Sequence, residues 1–248
     1  MQSRPSWASE RIPVVNRIEE AAWHALGEVM DPELGEAITE LGFVDKWQVR
    51  NGIALVHLRL PTFFCAPNFA WLMVSDARDA LLSVPGIAGA EVYLDDYFAG
   101  DEINTAIAAS SGFEDCFVGE VSGDLIELRT TFRAKAYVAA LERVCRQLRR
   151  AGTPLSDLGA LRLGDLPPGA DTDRLVRRRR DLGITVVPDS ALLLDASGTC
   201  IPPPELAAWL RRAQTVRVNM ESNGEMCRGL LHSSRVLAEM AGDGGRPG

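Results

Sequence analysis

Apolar residues recur at helical spacing over residues 14–30, with Ile18, Ala22, Ala25 and Val29 on one face, and this pattern predicts a helix. Pro32 cannot continue it and turns Asp31 away from helical dihedrals. Asp31 therefore stands at a bend, its carboxylate free to aim inward or to cap the turn over 33–40. The pattern then changes. Residues 43–50 and 53–60 are short apolar stretches separated by Asn51-Gly52, a dipeptide suited to a two-residue hairpin turn because both positions need positive φ. The second strand of this hairpin leads straight into Pro61-Thr62-Phe63-Phe64-Cys65-Ala66-Pro67-Asn68. An Ala- and Leu-rich helix is expected over 68–82, ending before Pro85-Gly86, with a strand over 90–94.

After Asp95-Asp96 the chain turns small and polar, and residues 97–124 read as a connector with a boundary near residue 110. A long helix follows over 125–150, with Leu128, Phe132, Ala136, Ala139, Val144 and Leu148 near one stripe. Residues 152–172 suit a loop with a short element, and 173–181 a basic helix. Residues 184–189 and 191–195 suit short strands or extended runs before a Ser197-Gly198 turn. Pro202-Pro203-Pro204 introduces a helix over 205–213. Residues 216–220 read as extended, and 225–240 as a last helix. The expected organisation is a leader (1–13), an α+β domain (14–109), a mostly helical domain (110–241) and a disordered tail (242–248). The α+β domain is an α/β two-layer arrangement with a small sheet containing the hairpin.

Composition narrows the function classes. With 46% hydrophobic and 24% charged residues, the 248-residue chain can bury a substantial core. A net charge of −8 argues against nucleic-acid binding, which needs a basic face. No run approaches the roughly 20 apolar residues that cross a bilayer. Five scattered cysteines, with no CxxC pair, do not form a disulfide framework or a structural zinc motif. A reducing, cytoplasmic setting is expected, where a Cys stays available as a thiolate ligand.

Two features carry chemistry. Cys65 lies in a loop before a helix N-terminus, where backbone N–H groups and the helix dipole stabilise an anion. It can serve as a thiolate ligand or nucleophile, or pack as a small hydrophobe. Asp31 and Glu33, in Asp31-Pro32-Glu33-Leu34, can be ligands, or an N-cap with a first-turn acid. Asn219, Glu221, Asn223 and Cys227 form a polar group opening the last helix, either a second ligand set or a turn and cap at Asn223-Gly224. Glu20, His24 and Glu28 share a helix face, which more often is solvated than metal-binding. The arginine run at 177–180 suits a solvated face first and a dock for an acidic partner second. His57, within a strand, reads as structural. There is no Gly-rich phosphate loop and no nucleophile elbow.

Taken together, Asp31-Pro32-Glu33-Leu34, Leu41-Gly42-Phe43-Val44, the hairpin, and the Thr62–Cys65 loop followed by helix and strand resemble the metal–sulfur cluster biosynthetic domain. This is the SufT/PaaD-like family of iron–sulfur assembly factors, and the likeness spans residues 14–96. Two departures stand out: Pro61 replaces the first of two threonines, and Ala66 separates Cys65 from Pro67. The resemblance implies that Asp31, Glu33, Thr62 and Cys65 converge on one pocket, supported by Leu34 and Asn68, and that Cys65 delivers iron or clusters to apo-proteins. Residues 94–104 look similar to the end of this domain in longer relatives encoded beside di-iron monooxygenases and their chaperonin. That likeness implies a maturation factor for a di-iron hydroxylase.

The resulting expectation is a non-enzymatic factor that transiently binds iron or an iron–sulfur cluster through Cys65 and passes it to an apo client metalloprotein. One thiol cannot hold a cluster alone, so a second protomer, the client or glutathione must supply further ligands. The rivals are a metal-free, client-specific folding adaptor and a thiol-dependent enzyme using Cys65 as nucleophile. For the enzyme, none of His24, His57 and His232 has a telling spacing.

Overall fold

The structure, a computed structural model, describes residues 14–63, 65–117 and 125–243. The leader expected over 1–13 lies outside the described residues, and of the tail expected over 242–248 only Gly242 and Asp243 are described, both helical rather than disordered. The chain divides into two compact units. One combines Met1–Val29 with Ala37–Cys116, the other Met30–Glu36 with Phe117–Gly248.

In the first unit, helix α1 (Val14–Gly27) ends short of Pro32 and fully buries Ala22 and Leu26. Strands β1 (Val44–Arg50) and β2 (Ile53–Arg59) pair antiparallel, and Arg50 faces Ile53 across the turn. Asn51 and Gly52 both adopt positive φ, 52° and 77°, as a tight hairpin turn requires. Helix α2 (Pro67–Leu82) then carries the chain to β3 (Gly89–Asp95), which pairs in parallel with β2 and gives the order β1-β2-β3. Along β2 the inward residues Ala54, Val56 and Leu58 are fully buried while their neighbours are partly exposed, the period-two signature of a sheet covered on one face.

The stretch expected as a connector is partly helical. Helix α3 (Gly100–Ala108) buries Ile103 and Ile107, four residues apart, and a short turn of helix, α4 (Phe113–Cys116), follows. Asn104 fastens α3 to the sheet: its side-chain oxygen accepts from Leu94 N at 2.8 Å, and its amide donates to Leu94 O at 3.2 Å. Small polar residues around the two isoleucines masked this apolar stripe in the sequence.

The second unit is built on helices α5 (Leu125–Arg150), α6 (Ala170–Asp181) and α7 (Pro203–Asp243), with α5 packed on both others. Tyr137, Leu141, Leu158, Leu175 and Leu192 form its dry centre, and the Tyr137 hydroxyl donates to Leu194 O at 2.8 Å. Two 3-10 turns, Asp157–Ala160 and Leu163–Asp165, occupy the expected loop. Residues 184–195 make isolated bridges only, Arg162 with Ala191 and Leu194 with Cys200, so no strand ladder forms there. The Ser197-Gly198 turn is closed by Asp195, whose carboxylate accepts from the N–H groups of Ser197 and Thr199, both at 2.9 Å.

Two expectations are overturned here. Residues 216–220 are not extended, and Asn223-Gly224 is neither turn nor cap, because α7 runs through both without interruption. Ion pairs from neighbouring elements hold it: Arg217 with Glu142, Arg143 with Glu221 at 2.6 Å, and Arg228 with Glu36 at 2.6 Å. The arginine run is likewise not a solvated face, since Arg178 and Arg179 are buried. The Arg179 guanidinium donates to Ala191 O at 2.9 Å, Leu192 O at 2.6 Å and Thr185 O at 3.2 Å, in place of a carboxylate partner.

Candidate thiol site and acidic turn

Strands β2 and β3 are parallel, with Arg59 opposite Asp95 at their carboxyl ends. The loops that leave them therefore emerge side by side, the place where open sheets with parallel strands commonly build sites. The first loop carries Thr62, Phe63 and Cys65; the second carries Asp96, Tyr97 and Phe98. Arg59 clamps the second loop through Asp96 at 2.8 Å.

Cys65 is half-buried and unoxidised, and its Sγ lies 3.3 Å from Thr62 Oγ1. Either atom can be the donor, so the pair can serve a thiol or a thiolate. The backbone of Cys65 is tied twice, by its N–H to Thr62 O at 3.5 Å and by the Tyr97 hydroxyl, which donates to its carbonyl oxygen. Burial first, and the Cys65 charge second, push the Tyr97 phenol far above its usual range, so it stays a donor. Phe63 and Phe98, each about half exposed, meet at 5.8 Å between ring centroids and form an aromatic rim on this loop pair.

Helix α2 begins one residue beyond Ala66, which caps it without a side-chain bond, and Pro67 opens the first turn. Pro67 fits there because its missing N–H would have lacked a helical partner anyway. Asn68 accepts from Phe69 N at 3.0 Å, so it supports the first turn of α2.

Asp31, Glu33 and Leu34 lie in the second unit. Asp31 is buried and its Oδ1 accepts from Leu34 N at 2.8 Å, while its backbone carbonyl accepts from Gly35 N at 2.9 Å. Burial pushes its carboxyl up to about 6 against the lowering effect of the Leu34 hydrogen bond, and the charges of Glu33 and Glu36 add to the rise. Asp31 thus closes a local turn rather than capping a helix, since no helix forms over 33–40. The turn docks on the helices of its own unit. Gly35 O accepts from Arg178 at 2.7 Å, and a Cβ on Gly35 would stand 3.0 Å from Ala136 Cβ and 3.1 Å from Met220 Cε.

The acidic turn and the polar group on α7 meet in this unit: Asn223 Nδ2 donates to Glu33 Oε1 at 3.4 Å. Glu221 is held by Arg143 and Arg217, and Asn219 and Cys227 lie on the same helix, in mid-α7 rather than at its start. Glu20, His24 and Glu28 are exposed on α1 and its C-terminal end. His57 Nδ1 lies 3.0 Å from Asp95 Oδ2, and its ring stacks on Tyr93. Among the described residues, no three or more His, Cys, Asp and Glu side chains are placed to hold a metal ion together. No helix among them is long and apolar enough to cross a membrane.

Tyr97 and Phe98 were not legible as site residues. The signal lay in topology: once β3 is parallel to β2, whatever follows Asp95 must adjoin the Cys65 loop.

Residues 19–94 match the family model described as iron-sulfur cluster assembly protein, a range that includes Asp31, Glu33, Thr62, Cys65 and Asn68. No curated protein matches the chain. The family match supports a role in iron–sulfur cluster assembly and does not address the C-terminal extension. Over residues 19–94, then, this chain carries a domain of the iron–sulfur cluster assembly protein family.

Proposed function

We propose that this protein is a non-enzymatic accessory factor that takes up iron or an iron–sulfur cluster transiently on Cys65 and transfers it to a client metalloprotein. The observation that carries this reading is the position of Cys65 within the matched domain. It is a half-buried thiol on a loop whose backbone is fastened by Tyr97, with the Thr62 hydroxyl 3.3 Å from its sulfur. A thiolate so placed can bind iron, and the fastened backbone keeps the ligand in position as cargo enters and leaves. The rest of the coordination sphere would come from a second protomer, the client or a small thiol, as the usual four-ligand count requires. The second unit, which carries Asp31 and Glu33, is proposed as the part that recognises the client. A di-iron monooxygenase hydroxylase is the first client to test, on the likeness of residues 94–104 to longer relatives.

The test is anaerobic reconstitution with iron and sulfide, comparing the full chain with Cys65→Ser by absorbance and metal analysis. Cargo bound by the wild type and lost in the variant supports the carrier. Equal cargo in both removes Cys65 from the site, and no cargo in either favours a metal-free folding adaptor.

A further inference from the structure

The second unit contains a cavity of about 490 Å³ between the C-terminal part of α5, the first half of α7 and the loop at Leu155. Four arginines line it: Arg146, Arg149 and Arg150 from α5, and Arg211 from α7. Among the described residues, the only acid in its wall is Glu142, whose carboxylate is already taken by Arg217. Among the described residues, none of the four arginines forms an ion pair with a carboxylate. In a chain of net charge −8 such a concentration of unpaired positive charge is unexpected. A helix C-terminus attracts cations, which accounts for Arg149 and Arg150 in the last turn of α5. It does not account for Arg211, which lies well inside α7.

The remaining wall is mostly apolar, from Leu155, Ala207, Leu210 and Cys145, with Gln214 as its one further polar side chain among the described residues. The hollow therefore offers guanidinium forks on one side and a hydrocarbon surface on the other. Its volume lies within the roughly 300–1,000 Å³ of small-molecule sites and exceeds what a lone inorganic anion fills. We propose that this cavity binds a small organic polyanion, its phosphate or carboxylate groups held by Arg146, Arg149, Arg150 and Arg211 and its apolar part laid on Leu155 and Leu210. Guanidinium is suited to this, because its planar fork matches both oxyanions bidentately.

Isothermal titration of the full chain with ADP and with citrate, at about 150 mM salt so that loose surface charge is screened, tests this. A decapeptide of glutamate is the comparator. The expected result is saturable one-site binding of ADP or citrate, and which of the two binds separates a phosphate ligand from a carboxylate one. Arg149→Gln and Arg211→Gln, both at exposed positions on different helices, should each weaken binding about tenfold, the loss of one charge-assisted contact, without lowering Tm. Failure of both small anions to bind overturns the proposal, as does binding that neither substitution weakens. Binding of the glutamate peptide alone would make the hollow part of a protein-docking surface instead, and equally overturns it.

Discussion

The Tyr97 hydroxyl donates its hydrogen to the backbone carbonyl of Cys65, tying the loop after β2 to the loop after β3. Tyr97 is buried, so removing its hydroxyl leaves that carbonyl without its partner. Tyr97→Phe should cost about 1–3 kcal/mol, read as a lower urea midpoint. It should also speed alkylation of Cys65 by iodoacetamide, because the loop then opens more often. An unchanged alkylation rate would show that other contacts position the thiol.

Asp31 gives a pH signature. Its carboxyl has a folded value of about 6 against 3.8 for the ordinary group. The fold therefore favours the protonated form, and the associated stability is complete below about pH 4 and lost as pH rises through about 6. The difference corresponds to about 3 kcal/mol at neutral pH. Asp31→Asn keeps an oxygen for the Leu34 N–H and carries no charge to desolvate. Its urea midpoint should match that of the wild type near pH 4 and exceed it increasingly up to about pH 7. Parallel curves across that range would refute a buried, raised Asp31.

Within the arginine run, neighbours should behave oppositely. Arg179 is fully buried and satisfies three backbone carbonyls, so Arg179→Met should cost about 3 kcal/mol or more. Arg180 is exposed, and Arg180→Gln should stay within about 0.5 kcal/mol of wild type. Thermal denaturation of the two variants side by side is the check, and similar losses would contradict the burial of Arg179.

Gly35 combines φ of +60° with a Cβ position that Ala136 and Met220 already crowd. Gly35→Ala should destabilise the protein by about 1–3 kcal/mol, from left-handed backbone cost and overpacking together. A calorimetric Tm equal to that of wild type would mean that the turn can lift away without loss.

Features set by local chemistry were legible in the sequence. Asn51-Gly52 specified the hairpin because only residues tolerant of positive φ fit that turn, and the Ala- and Leu-rich run over 68–82 marked α2, which starts one residue earlier, at Pro67. The placement of Cys65 between a strand and a helix followed from those two signals. The stripe over 125–150 likewise gave away α5, since a long helix must show a repeating apolar face.

What the tertiary structure decided depends on partners distant in the chain. Residues 216–220 look extended and Asn223-Gly224 looks like a turn by propensity, yet both lie inside α7. Arg217 meets Glu142 there and Glu221 meets Arg143, pairings that no local window contains. Four successive arginines look solvated until the carbonyls of residues 185–192 fold around the third. Asp31 reads as a ligand or a cap, and the packing of residues 30–36 with the second unit is what buried it. Tyr97 joined Cys65 because β3 pairs in parallel with β2. Propensity acts over a few residues, whereas burial and charge pairing depend on which surfaces the finished fold brings together.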